Sequence, residues 1–75
     1  MAEEHVRIEI GFDGGQAMSV IITTKQGDEL ERLLTEGTES AYGLEAEDGR
    51  YTVALKRVVY VKRFTRESRV GFSPA

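Results

Sequence analysis

Cysteine is absent from the 75-residue sequence, and proline and histidine each occur once. Without cysteine there is no disulfide framework and no thiolate chemistry, and a single histidine argues against a dedicated metal site. The glycines follow no three-residue period and proline is scarce, which excludes collagen-like and proline-rich disordered chains. No apolar run approaches the roughly 18 residues of a membrane helix. The sequence therefore predicts a soluble globular domain that needs no cofactor and no metal.

The short chain predicts one domain, spanning residues 1–75. A domain of this size buries only roughly 60% of the surface of its unfolded chain, so its stability is marginal. Natural domains this small are stabilised by disulfides, metals or association, and only association applies here. We therefore expect a homo-oligomer. Residues 1–5 are acidic without an apolar stretch, so they predict neither a secretory signal nor a transit peptide, and a cytoplasmic location is expected.

Charge is unevenly distributed along the chain. Residues 1–49 carry 12 acidic and 3 basic side chains, whereas residues 50–75 carry 1 acidic and 7 basic side chains. Two interpretations stay open. Strands from the two parts pair and neutralise each other across a sheet, or the basic C-terminal third forms a face that meets an anionic partner.

The first half of the chain predicts a hairpin followed by a helix. Residues 5–12 and 17–24 alternate apolar and polar side chains, which is typical of half-buried strands, and a glycine-rich turn joins them. Over residues 25–37 the period changes, and three leucines form one helical stripe. Asp28 and Thr24 compete as the N-cap of this helix, and the glycine at its end is a plausible C′ residue.

The clearest predicted element is a hairpin formed by residues 41–47 and 50–55. Asp48-Gly49 between two alternating runs is the strongest short-range hairpin signal. A two-residue turn at these positions fixes the register, in which apolar residues face apolar residues. The predicted partners are Glu47 with Arg50, Ala46 with Tyr51, Leu44 with Val53, and Tyr42 with Leu55.

The last strong strand signal is the run at residues 58–64, which is apolar on both faces. Such a strand is central in a sheet or lies at a contact between subunits. Residues 65–68 predict a turn, and residues 69–72 predict a short final strand. The residues expected at an oligomer interface are Val58, Val59, Tyr60, Val61 and Phe72.

The order of these elements, β-β-α-β-β-β, predicts an α+β fold with a small, mostly antiparallel sheet and one short helix. The alternative is a small SH3- or Sm-like barrel with a helical insertion. Ile10-Gly11-Phe12-Asp13 followed by Met18-Ser19-Val20-Ile21-Ile22 resembles the first motif of the Sm-like RNA-binding barrels, over about a sixth of the chain. The spacing between the two parts is two residues longer than in that family, and its Arg-Gly motif is missing before Val58, so membership does not follow.

No arrangement of residues predicts catalysis. The glycine-rich loop at residues 11–15 matches neither the dinucleotide nor the phosphate-loop pattern. The acids Glu45, Glu47 and Asp48 lie beside a hairpin tip and not in an apolar pocket. His5 could act as a general base, but no nucleophile that it would deprotonate is evident in the sequence. The sequence therefore predicts a small non-enzymatic interaction or regulatory domain that self-associates and binds a protein partner.

The alternative function is binding of RNA or single-stranded DNA through the basic C-terminal third. Its cations are interleaved with aromatic residues, a combination that neutralises phosphates and stacks on bases. The net charge of −3 and the lack of an RNP1-like run count against this alternative. The residues expected to contact an anionic partner are Lys62, Arg63, Arg66 and Arg69.

Overall fold

Two antiparallel sheets and one helix form the structure, a computed structural model that describes residues 4–64. The strands and the helix are β1 His5–Phe12, β2 Ala17–Thr23, α1 Thr24–Glu36, β3 Ala41–Ala46, β4 Gly49–Ala54 and β5 Val58–Arg63. One sheet has the order β2-β1-β5, and the other pairs β3 with β4. The predicted α+β class and element order are confirmed. Among the described residues no helix has the length and apolar character that crossing a bilayer requires.

The core is formed by the inward-facing side chains of the strands and by the leucine stripe of α1. Alternation along the strands and the helical period bring these side chains to one side of each element. No polar or charged residue among residues 4–64 is buried, so the core is held by apolar burial. Its members are Ile8, Ile10, Val20, Ile22, Leu30, Leu33, Leu44, Val53 and Leu55.

Helix α1 begins earlier than its apolar pattern indicates. Its N-cap is Thr23, whose hydroxyl accepts a 3.2 Å hydrogen bond from the Gln26 amide. Neither Asp28 nor Thr24 has this role, because β2 runs directly into the helix and the extended backbone at the end of the strand supplies the cap. Gly37 ends the helix with a left-handed φ of 70°, as the sequence predicts.

The β3–β4 hairpin keeps the predicted faces but not the predicted register. Its turn residues are Glu47 and Asp48, which shifts the pairing by two positions, and Arg50 forms an ion pair with Glu45 at 2.7 Å instead of facing Glu47. An Asp-Gly turn of type I′ requires positive φ at both residues, and among the described residues only glycines have positive φ. Because side chains alternate between the two faces of a strand, a register shift of two positions leaves every side chain on its predicted face. The observed partners are Ala46 with Gly49, Leu44 with Tyr51, and Tyr42 with Val53.

Strand β5 lies at an edge of the three-stranded sheet within residues 4–64, and β1 is the central strand. A register shift opposite Gly11 and Phe12 leaves Val59 without a partner on β1. The apolar character of both faces of β5 therefore reflects a bulge at an edge and not a central position in this part of the chain. The predicted turn at residues 65–68 and strand at residues 69–72 lie outside the described residues.

The two sheets meet along β2 and β3. The Glu47 amide donates to the Ile21 carbonyl at 3.3 Å. The side-chain amide of Gln26 binds both main-chain groups of Glu45, donating to its carbonyl at 2.9 Å and accepting from its amide at 2.6 Å. Helix α1 is thus joined to the hairpin by Gln26, whose side chain makes the two hydrogen bonds that a neighbouring strand would make.

The strands do not close into a barrel within residues 4–64. Closure would need a ladder between β4 and β5, and this part of the chain forms none. The chain passes instead through a single 3₁₀ turn, Leu55–Arg57, and Leu55 is buried in the core. The SH3- or Sm-like alternative is therefore wrong, because the leucines of α1 cover the apolar surface that a barrel would enclose.

Candidate functional site

The three-stranded sheet has one side packed on the core and one side open among the described residues. Side chains at alternate strand positions share a side, and the register therefore aligns them in rows across β2, β1 and β5. The Phe64 amide donates to the Arg7 carbonyl at 3.0 Å and extends this pattern beyond the end of β5. We call this surface the outer face; its residues are Arg7, Glu9, Gly11, Ser19, Ile21, Tyr60, Lys62 and Phe64.

Tyr60 is held in place at the centre of β5. A Cβ atom at Gly11 would overlap the Cε2 atom of the Tyr60 ring, so only glycine leaves room for the ring against β1. The phenol hydroxyl donates to the carboxylate of Glu9. This hydrogen bond, followed by burial and the negative charge of Glu9, raises the pKa of Tyr60 above its ordinary value. The ring is thus held by its hydroxyl group and by Gly11 on one side, while 46% of the residue stays exposed.

Two cations contact the aromatic ring of Phe64. The guanidinium carbon of Arg7 and the ammonium nitrogen of Lys62 each lie 4.8 Å from the ring centroid. This geometry is that of a cation–π interaction. Neither cation forms an ion pair with a carboxylate of residues 4–64.

The other arginines of the described chain are bound to carboxylates. Arg63 crosses Gly27 of α1, and its guanidinium reaches two carboxylates of the helix. The described ion pairs of basic residues after position 49 all join them to acidic residues before position 50, but only the pair of Arg50 and Glu45 lies within a sheet, as the first interpretation expects. The pairs are Arg63 with Asp28 at 3.1 Å and with Glu31 at 3.0 Å, Arg57 with Asp13 at 3.1 Å, and Arg50 with Glu45 at 2.7 Å; within α1, Arg32 binds Glu29 and Glu36.

The predicted anion-binding residues are separated by the fold. Lys62 lies on the outer face, whereas its neighbour Arg63 points to the helix side, where its side chain is only 27% exposed. Arg66 and Arg69 lie outside the described residues. The structure therefore leaves Lys62 available on this surface and binds the charge of Arg63 within the chain.

The predicted interface residues also divide between the two sides of β5. Val58 and Val61 pack against the core. Val59 and Tyr60 are 66% and 46% exposed. Phe72 lies outside the described residues. Only the exposed pair is accessible to a second molecule in the described structure.

Arg7 and Ile21 share a surface with β5 that the sequence does not reveal. Alternation in the first hairpin already places Arg7 on the polar side of its strand, and hairpin pairing sets Ile21 opposite Arg7. The pairing of β1 with β5 has no local signal. A shallow cavity of about 300 Å³ adjoins this part of the outer face; its lining is Arg7, Ser19, Val20, Ile21, Glu47 and Asp48.

Comparison with protein-family models, with curated proteins and with solved structures finds no match for this chain. Within residues 4–64 no three potential metal ligands lie together.

Glu9→Gln should lower the pKa of Tyr60 toward the ordinary tyrosine value of about 10. The charged acceptor favours the protonated phenol, and a raised pKa in the folded state stabilises the fold below the unfolded pKa; that stability is lost as pH rises through the folded pKa. The variant should therefore show a weaker loss of stability at alkaline pH. An absorbance titration of the three tyrosines measures the shift.

Tyr60→Phe is the matched control for this titration. The effect of Glu9→Gln should vanish in that background, because Tyr42 and Tyr51 owe their raised pKa values to burial and to Asp48 respectively. A shift that persists without the Tyr60 hydroxyl would contradict the contact between Tyr60 and Glu9.

Proposed function

We propose that this chain is a small non-enzymatic interaction domain that self-associates through the edge of β5. The observation that carries the proposal is the position of the exposed large hydrophobic residues. Among residues 4–64 these are Ile21, Val59 and Tyr60, and two of the three are adjacent on the edge strand. An apolar side chain that is 66% exposed at a sheet edge favours contact with another molecule.

The backbone of an edge strand presents hydrogen-bonding groups to a partner. Antiparallel pairing of two β5 strands about a two-fold axis would give a six-stranded sheet with the order β2-β1-β5-β5-β1-β2. Such an interface uses the same patch on both copies. It would also bury further apolar surface, and a single domain of this size buries a smaller share of its surface by folding alone than a larger domain does.

The charges of the chain support an apolar contact. Arg57 and Arg63, which flank β5 or end it, are bound to carboxylates of their own chain. Any salt dependence of association through β5 should therefore come mainly from Lys62, because the two nearby arginines are already paired.

Two observations support a domain without catalysis. No polar or charged residue among residues 4–64 is buried, whereas catalytic acids and bases owe their shifted pKa values to burial and to nearby charges. His5 is exposed at the start of β1. We also propose a cytoplasmic location, with which a chain free of disulfides is compatible.

Val59→Lys should convert the protein to a monomer. A lysine on an edge strand opposes strand addition, because pairing would bury its charge. Light scattering at micromolar concentration should give twice the monomer mass of 8.4 kDa for the wild-type chain and the monomer mass for the variant.

Thr52→Lys is the matched control, because it adds the same charge at an exposed position in the middle of β4. The control should keep the wild-type mass, and circular dichroism should show that both variants are folded. A wild-type mass of 8.4 kDa would overturn the proposal. A dimer that survives Val59→Lys would overturn the role of β5.

A further inference from the structure

We infer that the outer face binds single-stranded nucleic acid, with a base stacked on Tyr60 and phosphates bound by Lys62 and Arg7. The inference does not depend on self-association, because Tyr60 projects from the outer face, whereas pairing of two β5 strands uses the main-chain groups at the edge of the strand. It uses residues of β1 that the basic C-terminal third does not contain.

Tyr60 meets the requirements of a stacking platform. Gly11 supports one side of the ring and Glu9 fixes its hydroxyl, so the ring needs no reordering when a ligand arrives. Its other side is open in the described structure, since the residue is 46% exposed. Bases stack on such aromatic side chains with little regard for sequence, because every base has a π face.

Lys62 and Arg7 supply the charge that phosphates require. Lys62 lies two residues from Tyr60 on the same face, which is a separation of about 7 Å along a strand. Phe64 contacts both cations at 4.8 Å and holds them together. They differ from Arg57 and Arg63, whose charges are bound to carboxylates.

Glu9 does not cancel this charge. It is the only carboxylate of the outer face, and Lys62 lies opposite it in the register while Tyr60 donates to it. Within the outer face the two cations exceed the one carboxylate, while Glu47 and Asp48 line the cavity beside Arg7 at the β2 side. The part of the outer face that carries Tyr60 and Lys62 lies on β5, on the far side of β1 from β2, and is therefore the part that suits a phosphate.

The shape of the face favours a single strand over a duplex. A duplex is read by an element that enters a groove, such as a helix or a two-stranded ribbon. The outer face is an open sheet surface without such an element, and stacking on Tyr60 requires an unpaired base.

Fluorescence anisotropy with labelled oligothymidine and oligouridine, titrated with the full chain over a salt series, tests the inference. Two neutralised phosphates should give a slope of log affinity against log salt near −1.4, from about −0.7 for each contact. Tyr60→Ala should weaken binding by about 5- to 150-fold, the effect expected from one lost stacking contact. Lys62→Ala should reduce the slope by about 0.7.

Two matched controls separate stacking and local charge from general effects. Tyr60→Phe keeps the ring and should keep the affinity within a few-fold. Arg57→Ala removes a cation that is bound to Asp13 at 3.1 Å, and it should leave the slope unchanged. Light scattering on each variant in the same buffer distinguishes lost binding from a change in oligomeric state.

Absence of binding at low salt would overturn the inference. An affinity that falls equally for Tyr60→Ala and Tyr60→Phe would also overturn it, because the ring would then not be the binding group. An equal change of slope for Arg57→Ala and Lys62→Ala would show attraction to overall charge and not to the outer face.

Discussion

Leu30→Ala should lower the free energy of unfolding by about 2–5 kcal/mol, which is a large share of the total stability of a domain this small. Leu30 is fully buried in the core between α1 and the sheet. The helix has 13 residues and is too short to be stable alone in water. Its order depends on this packing, and small domains have a total stability near the low end of about 5–15 kcal/mol.

Urea denaturation followed by circular dichroism measures this loss. Leu34→Ala is the matched control, because Leu34 lies on the same helix but is only half-buried against the core. It should lose clearly less stability than Leu30→Ala. Equal losses of stability for the two variants would contradict the orientation of α1, in which Leu30 faces the sheet more directly than Leu34.

Gly49→Val should lower the free energy of unfolding by about 1–3 kcal/mol. Gly49 begins β4 with a φ of 150°, and no atom lies within 4 Å of a Cβ atom placed there. The cost is therefore conformational and not steric, since a β-branched residue rarely adopts a positive φ. This conformational cost destabilises the turn that sets the register of the hairpin.

The thermal midpoint of Gly49→Val should fall by about 4–8 °C for each kcal/mol lost. Thr52→Val places the same side chain at an exposed position within β4, where it should be neutral or stabilising because valine favours strands. An unchanged midpoint for Gly49→Val would show that the backbone at position 49 does not need glycine.

The hairpin shows what alternation predicts and what it does not. Apolar residues at every second position assign Leu44 and Val53 to the core side, and that assignment is correct. The same alternation is satisfied by any register shifted by two, so it cannot choose between a turn at Asp48-Gly49 and one at Glu47-Asp48. Backbone conformation at Asp48 makes that choice, and the sequence pattern does not contain it.

The outer face was less accessible to prediction than the fold. The position of Lys62 and Arg63 at the end of the last strong strand signal predicts a common role for them, although alternation within a strand separates adjacent residues onto opposite sides. Arg7 and Phe64 meet only because β1 pairs with β5. That pairing joins distant parts of the chain, and no local pattern specifies it.

The same pairing of β1 with β5 governs how the protein folds. Helix α1 and the β3–β4 hairpin form from neighbours in sequence, whereas the β1–β5 ladder joins the first and last strands of residues 4–64 and closes a long loop. Contacts of such separation slow folding, because the entropy of loop closure must be overcome before the contacts form. Until β5 docks, one edge of the central strand stays unpaired, and in that interval the chain is most exposed to aggregation.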